Sequence, residues 1–101
     1  MDKFALLASL QSRPGKESEV EQFLKSAEPL VMEEVGTTTW YAFKSGDSAF
    51  GIFDTFATEE ARDEHLNGAV AKALMQRAEE LFATPPTITK LEILASKEAK
   101  K

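Results

Sequence analysis

His65 is the only histidine in a chain of 101 residues without cysteine, and its ordinary pKa of ~6.5 suits it to take and give protons near neutral pH. It is the candidate general base. No nucleophile or third group stands at a spacing that completes a triad, so the alternative is a structural histidine bonded to a neighbouring backbone group. Asp54 is the second candidate, an orienting carboxylate in a run of phenylalanines, where burial is costly unless the group is hydrogen-bonded or paired. Arg62 and Lys44 are its expected partners. Trp40, Phe43, Phe53, Phe56, Met75 and Phe82 are candidates for the lining of a cavity between helices and sheet that takes a small, flat, apolar molecule. The alternative is that they are simply core. Six of the nine aromatic residues fall between Gly36 and Phe56.

The composition narrows the chemistry further. Without cysteine there is no disulfide, thiolate nucleophile, iron–sulfur cluster or cysteine zinc site. One histidine and scattered carboxylates form no metal-ligand spacing, and no glycine-rich phosphate loop or dinucleotide fingerprint occurs, so no cofactor is expected. A formal charge of −5 argues against nucleic acid, which is bound through a surplus of Lys and Arg. The apolar run from Phe4 to Leu10 is too short for a membrane span and lacks the flanks of a signal peptide. A cytoplasmic protein is the expectation.

The elements that must position these residues are read from periodicity. Phe4 to Gln11 is apolar on both faces, as in a strand covered on both sides. From Glu17 to Val35, Val20, Phe23, Leu24, Ala27, Leu30 and Val31 recur at helical spacing, and Pro29 within that pattern predicts a kink near Lys25 or a split. Gly36 is read as the residue that ends the helix. Two strand-forming runs around Ser45-Gly46-Asp47 make a hairpin, on which Trp40 and Tyr41 point to opposite faces. Thr58 caps a helix to about Leu66, Asn67-Gly68 interrupts it, and a second piece runs from Ala69 to Phe82. Pro85-Pro86 stops that helix before a last strand from Thr87 to Ala95.

The order βαββαβ is the ferredoxin-like, α+β arrangement: a four-stranded antiparallel sheet with its helices on one face. One domain spans 1–96, and 97–101 is expected to be a disordered tail. Apolar residues on both sides of the first and last strands need a second cover, which a symmetric homodimer through the sheet face supplies.

The order of elements, the glycine before the second strand, and the run Phe50-Gly51-Ile52-Phe53-Asp54-Thr55-Phe56 leading into Ala61-Arg62-Asp63-Glu64-His65-Leu66 resemble the antibiotic biosynthesis monooxygenase family. These are dimeric α+β barrel proteins that include quinol and haem-degrading oxygenases. Phe53, Asp54, Phe56, His65 and Leu66 take the positions of that family's third-strand pattern and following His-Leu pair. Two departures stand out: Val70 replaces a second histidine found in many members, and Ala69 to Phe82 lacks the histidine that ligates haem iron.

The resemblance implies a cofactor-independent monooxygenase that oxidises a phenol, anthrone or quinol with dioxygen. His65 would be its base and Trp40 its wall or donor. A non-catalytic dimeric binding protein with the same cavity is the second reading. An RNA-binding module is a distant third, since the RNA-recognition fold shares the βαββαβ order.

Overall fold

The computed structural model describes residues 2–98. It contains strands β1 (Phe4–Gln11), β2 (Thr37–Lys44), β3 (Ala49–Phe56) and β4 (Thr87–Glu92) and helices α1 (Glu17–Met32), α2 (Glu59–Leu66), α3 (Ala69–Gln76) and α4 (Ala78–Leu81). The sheet order is β2-β3-β1-β4 with every neighbouring pair antiparallel, the ferredoxin-like topology expected from the sequence. Of the tail 97–101, Lys97 and Glu98 are exposed without regular structure, and 99–101 lie outside the described residues.

Strand register sorts the side chains between two faces. Leu6 pairs with Asp54 and Lys90, Ala8 with Ile52 and Ile88, and Trp40 with Asp54, so these positions share the helix-covered face. There, Ala8, Leu10, Phe50 and Ile52 pack against Val20, Phe23 and Leu24 of α1, Leu74 of α3, and Leu81 and Phe82. Ala27, Val31 and Val70 form a smaller cluster, and Trp40 packs against both groups. One half-buried indole thus joins the two halves of the core.

The opposite face carries Leu7, Tyr41, Phe43, Phe53 and Leu91. Tyr41 is 59% and Phe43 39% exposed, while Leu7, Phe53 and Leu91 are half-buried. A Cβ on Gly51 would run into the ring of Phe43, its cross-strand partner, so this glycine is what lets the ring lie flat across β3.

Four local readings are corrected. The helix α1 ends at Met32, short of Val35, and runs through Pro29 as one element, so it is not split there; Pro29 itself is exposed. Gly36 does not end it; a Cβ there would stand 2.6 Å from the Cβ of Ala61, so Gly36 is needed where the loop passes under α2. The expected helix 69–82 breaks at Arg77, and the turn lets Phe82 bridge to Ser12 while Arg13 N–H donates to the Leu81 carbonyl. The last strand stops at Glu92, where β1 runs out of partners beyond Lys3, leaving Leu94 85% exposed.

Candidate active site

Thr58 caps α2 as its sequence predicts: its Oγ1 accepts from the Ala61 N–H at 3.1 Å. The short helix then turns Arg62 and His65, one turn apart, into the protein. His65 is 8% exposed and packs against the ring of Phe56, with ring centroids 5.3 Å apart. Its Nε2 lies 3.0 Å from Asp54 Oδ2, and its Nδ1 lies 2.5 Å from Glu34 Oε1. Glu34 comes from the loop after α1, where its N–H still bonds to the Val31 carbonyl, and its Oε1 also accepts from Thr37 Oγ1 at 2.6 Å. Strand β3, helix α2 and the α1–β2 loop therefore meet in one carboxylate–imidazole–carboxylate unit.

The unit has a definite electrostatic preference. Burial, the strongest single influence on His65, works against its charged form; the hydrogen bonds to Asp54 and Glu34 and their negative charges together outweigh it. The net effect raises the histidine pKa above the ordinary 6.5. The reason is plain in the donor count. Only imidazolium has two N–H groups, so only the protonated ring serves both carboxylates.

His65 has both ring nitrogens engaged, so neither is free to meet a ligand in this geometry. It can act on a ligand only through one of its carboxylates. Asp54 has a free atom: its side chain is 2% exposed, and its buried Oδ1 has no hydrogen-bond partner. Trp40, directly across from Asp54 on β2, likewise has a buried Nε1–H without an acceptor, and Glu34 Oε2 is unpaired too. Buried polar atoms are seldom left this way, and a bound water or ligand in the neighbouring space would satisfy them.

The expected partners of Asp54 do other work. Arg62 donates to the carbonyls of Ala5 and Leu91 and lies over the ring of Phe4, while Lys44, four residues up the hairpin, lies over Phe50. The proposed aromatic lining does not gather either. Trp40 lines a groove of about 480 Å³ between α1 and the edge strand β2, with Leu24, Ala42 and Phe50 among its lining and Glu21, Lys25, Glu28 and Lys44 around it, while Phe43 borders it with its ring on the opposite sheet face over Gly51. Phe53 faces the other side of the sheet because it alternates with Asp54. Phe56 and Phe82 are fully packed core, and Met75 is 57% exposed on α3. Beside Asp54 and His65 there is a cavity of about 30 Å³ under α3, the scale of one water molecule and not of an aromatic ring.

Glu34 is the residue that sequence reading missed. An acidic residue just past a helix end reads as solvated surface; only its separation of three residues from Thr37 hinted at a local bond. Among the described residues no cluster of three or more His, Asp or Glu side chains has the geometry of a metal site, and no helix is long and apolar enough to cross a membrane.

Comparison with solved structures decides the family. A protein of unknown function from Nitrosomonas europaea superposes with a TM-score of 0.94 at 48% sequence identity, covering 100% of this chain and 98% of that one. This chain belongs to the family of that Nitrosomonas protein. More distant neighbours share the fold. They include provisionally named antibiotic biosynthesis monooxygenases from Caulobacter crescentus (21% identity, TM-score 0.78, covering 93% of this chain and 92% of that one) and Bordetella bronchiseptica (19%, 0.77, 94% and 100%). No protein-family model matches the sequence, and no curated protein does.

Proposed function

We propose that this protein is a cofactor-independent monooxygenase of the antibiotic biosynthesis monooxygenase type, oxidising a small phenol, anthrone or quinol with dioxygen. The observation that carries this reading is the buried Asp54–His65–Glu34 unit, in which one Asp54 oxygen has no partner. An acid–base group this deep is expensive, and it is the one site among the described residues that can move a proton in a dry environment. In this account the small cavity beside Asp54 widens under α3 to admit the substrate, whose hydroxyl proton passes to Asp54 Oδ1. The His65 imidazolium behind Asp54 stabilises the resulting anion, which supplies the electrons to dioxygen.

The protein acts as a homodimer in this proposal, its exposed Tyr41 and Phe43 covered by the same sheet face of a second copy, in the cytoplasm, where a chain without cysteine is at home. A second reading is a binding protein of the same architecture without turnover. It is favoured by the engagement of both His65 nitrogens, which makes the unit a clip joining three elements. Oxygen uptake separates the two. With 1,4-dihydroxynaphthalene or anthrone, the enzyme consumes oxygen at a rate that Asp54→Asn lowers by roughly 10²-fold or more; uptake no faster than the buffer blank favours the binding protein.

A further inference from the structure

The cavity of about 30 Å³ beside Asp54 has a roof unlike its other walls. Leu6, Ile52 and Ile88 from three strands line its sheet side, and Val70, Ala71 and Leu74 of α3 close it. Helix α3 is held by apolar contact alone. Among the described residues its side chains make no hydrogen bond or ion pair, whereas α1, α2 and α4 each carry at least one. Val70 packs with Ala27 and Val31, and Leu74 joins the main core. Both ends of the helix are breaks: Gly68 precedes it without a side-chain cap, and the backbone leaves helical geometry again at Arg77. Eight residues do not hold a helix on their own in water, so lifting α3 from the core also unravels it.

We infer that α3 is a lid over Asp54, which lifts and unravels as one unit between Gly68 and Arg77 and opens a chamber for a flat, apolar molecule carrying one hydrogen-bond donor. The lid deepens the proposed oxygenase reading and rests on it for the kind of ligand. Closed, the chamber has no room for an aromatic ring; open, it offers aliphatic walls and one acceptor. The donor requirement comes from Asp54 Oδ1, which accepts only when ionised, because both His65 nitrogens are engaged. Opening uncovers two buried side chains, Val70 and Leu74, so roughly one molecule in 10² to 10⁴ is open at a time. The ligand binds that minor form, and its apparent affinity is scaled by the open fraction.

The test joins hydrogen exchange of the whole protein, read by mass spectrometry, to calorimetric titration with 1-naphthol in the absence of oxygen. Amides of 72–76 are expected to exchange on the order of tenfold or more faster than those of β1 and β3, through an opening smaller than global unfolding. Ala73 lies on α3 but does not line the cavity, so Ala73→Gly weakens the helix and leaves the chamber walls intact. It should speed exchange of 72–76 by about threefold to fivefold and tighten 1-naphthol by the same factor. Lys72→Gly, at an exposed position, repeats the test where no packing is lost. Exchange of 72–76 as slow as that of β1 and β3, an affinity that falls or stays level in the two glycine variants, or no binding of 1-naphthol at millimolar concentration overturns the lid. Oxygen uptake by a protein whose α3 exchanges no faster than its sheet sinks the lid and leaves the oxygenase standing; a lid that behaves as described, in a protein that takes up no oxygen, does the reverse.

Discussion

Replacing His65 by glutamine removes the one charge that both buried carboxylates need. In the native protein Asp54 and Glu34 side chains are 2% and 20% exposed, and each faces an imidazole nitrogen. Glutamine is neutral, reaches at most one of them well, and leaves Asp54 with an unpaired oxygen on each side. Breaking a buried ion pair by deleting one partner costs about 3–5 kcal/mol. For a chain of this length that is a fall in Tm of roughly 15 °C or more. Urea unfolding followed by the fluorescence of Trp40, the sole tryptophan, measures it. The pH dependence is a sharper check. His65 has a folded pKa above its unfolded value near 6.5, so its contribution is complete below that value and is lost as pH rises through the folded one. The gap between native protein and variant should therefore be widest at pH 6 and narrow towards alkaline pH. A loss under about 1 kcal/mol at pH 6, the scale of an exposed pair, would refute the reasoning. So would a gap that widens with pH.

Other perturbations follow from the same contacts. Glu34→Gln removes one of the two carboxylates that raise the His65 pKa, so the midpoint of its ring signals in an NMR titration should move down. Gly36→Ala puts a methyl 2.6 Å from the Ala61 Cβ and should cost about 1–3 kcal/mol by forcing the loop away from α2, read by thermal unfolding. Thr58→Ala deletes the cap of α2 and should cost about 1 kcal/mol in the same assay. In the proposed homodimer, Phe53→Glu places a charge on the paired sheet face and should shift sedimentation from dimer to monomer while the far-ultraviolet circular dichroism is retained.

Much of the architecture could be read from periodicity, because the ferredoxin-like order imposes strong rules on which side chains face the helices. Two-residue alternation separated Trp40 from Tyr41, and the Thr58 cap set the start of α2. The same alternation, applied to Phe43 and Phe53, would have placed both on the face opposite Asp54 and removed them from the supposed chamber. Helix ends were harder. Arg77 carries no breaker signal; the turn there comes from Leu81 and Phe82 docking beside Ser12 and Arg13, a contact spanning most of the chain. The site was half visible: His65 and Asp54 stood out as types in unusual company. Their union with each other, in place of Asp54 with Arg62 or Lys44, depends on the register of β2 against β3 and on the angle at which α2 crosses the sheet. Glu34 was invisible because a residue just beyond a helix end reveals nothing of which way the following loop turns.

The whole account turns on His65 being a protonated ring clamped between two carboxylates, and a chain with one histidine allows that to be seen without ambiguity. Nitrogen-15 NMR of the imidazole across pH is the direct measurement. The account predicts two protonated ring nitrogens at pH 6, each facing a carboxylate, and a midpoint above 6.5. A ring with one nitrogen bare at pH 6, or a midpoint at or below 6.5, would contradict it.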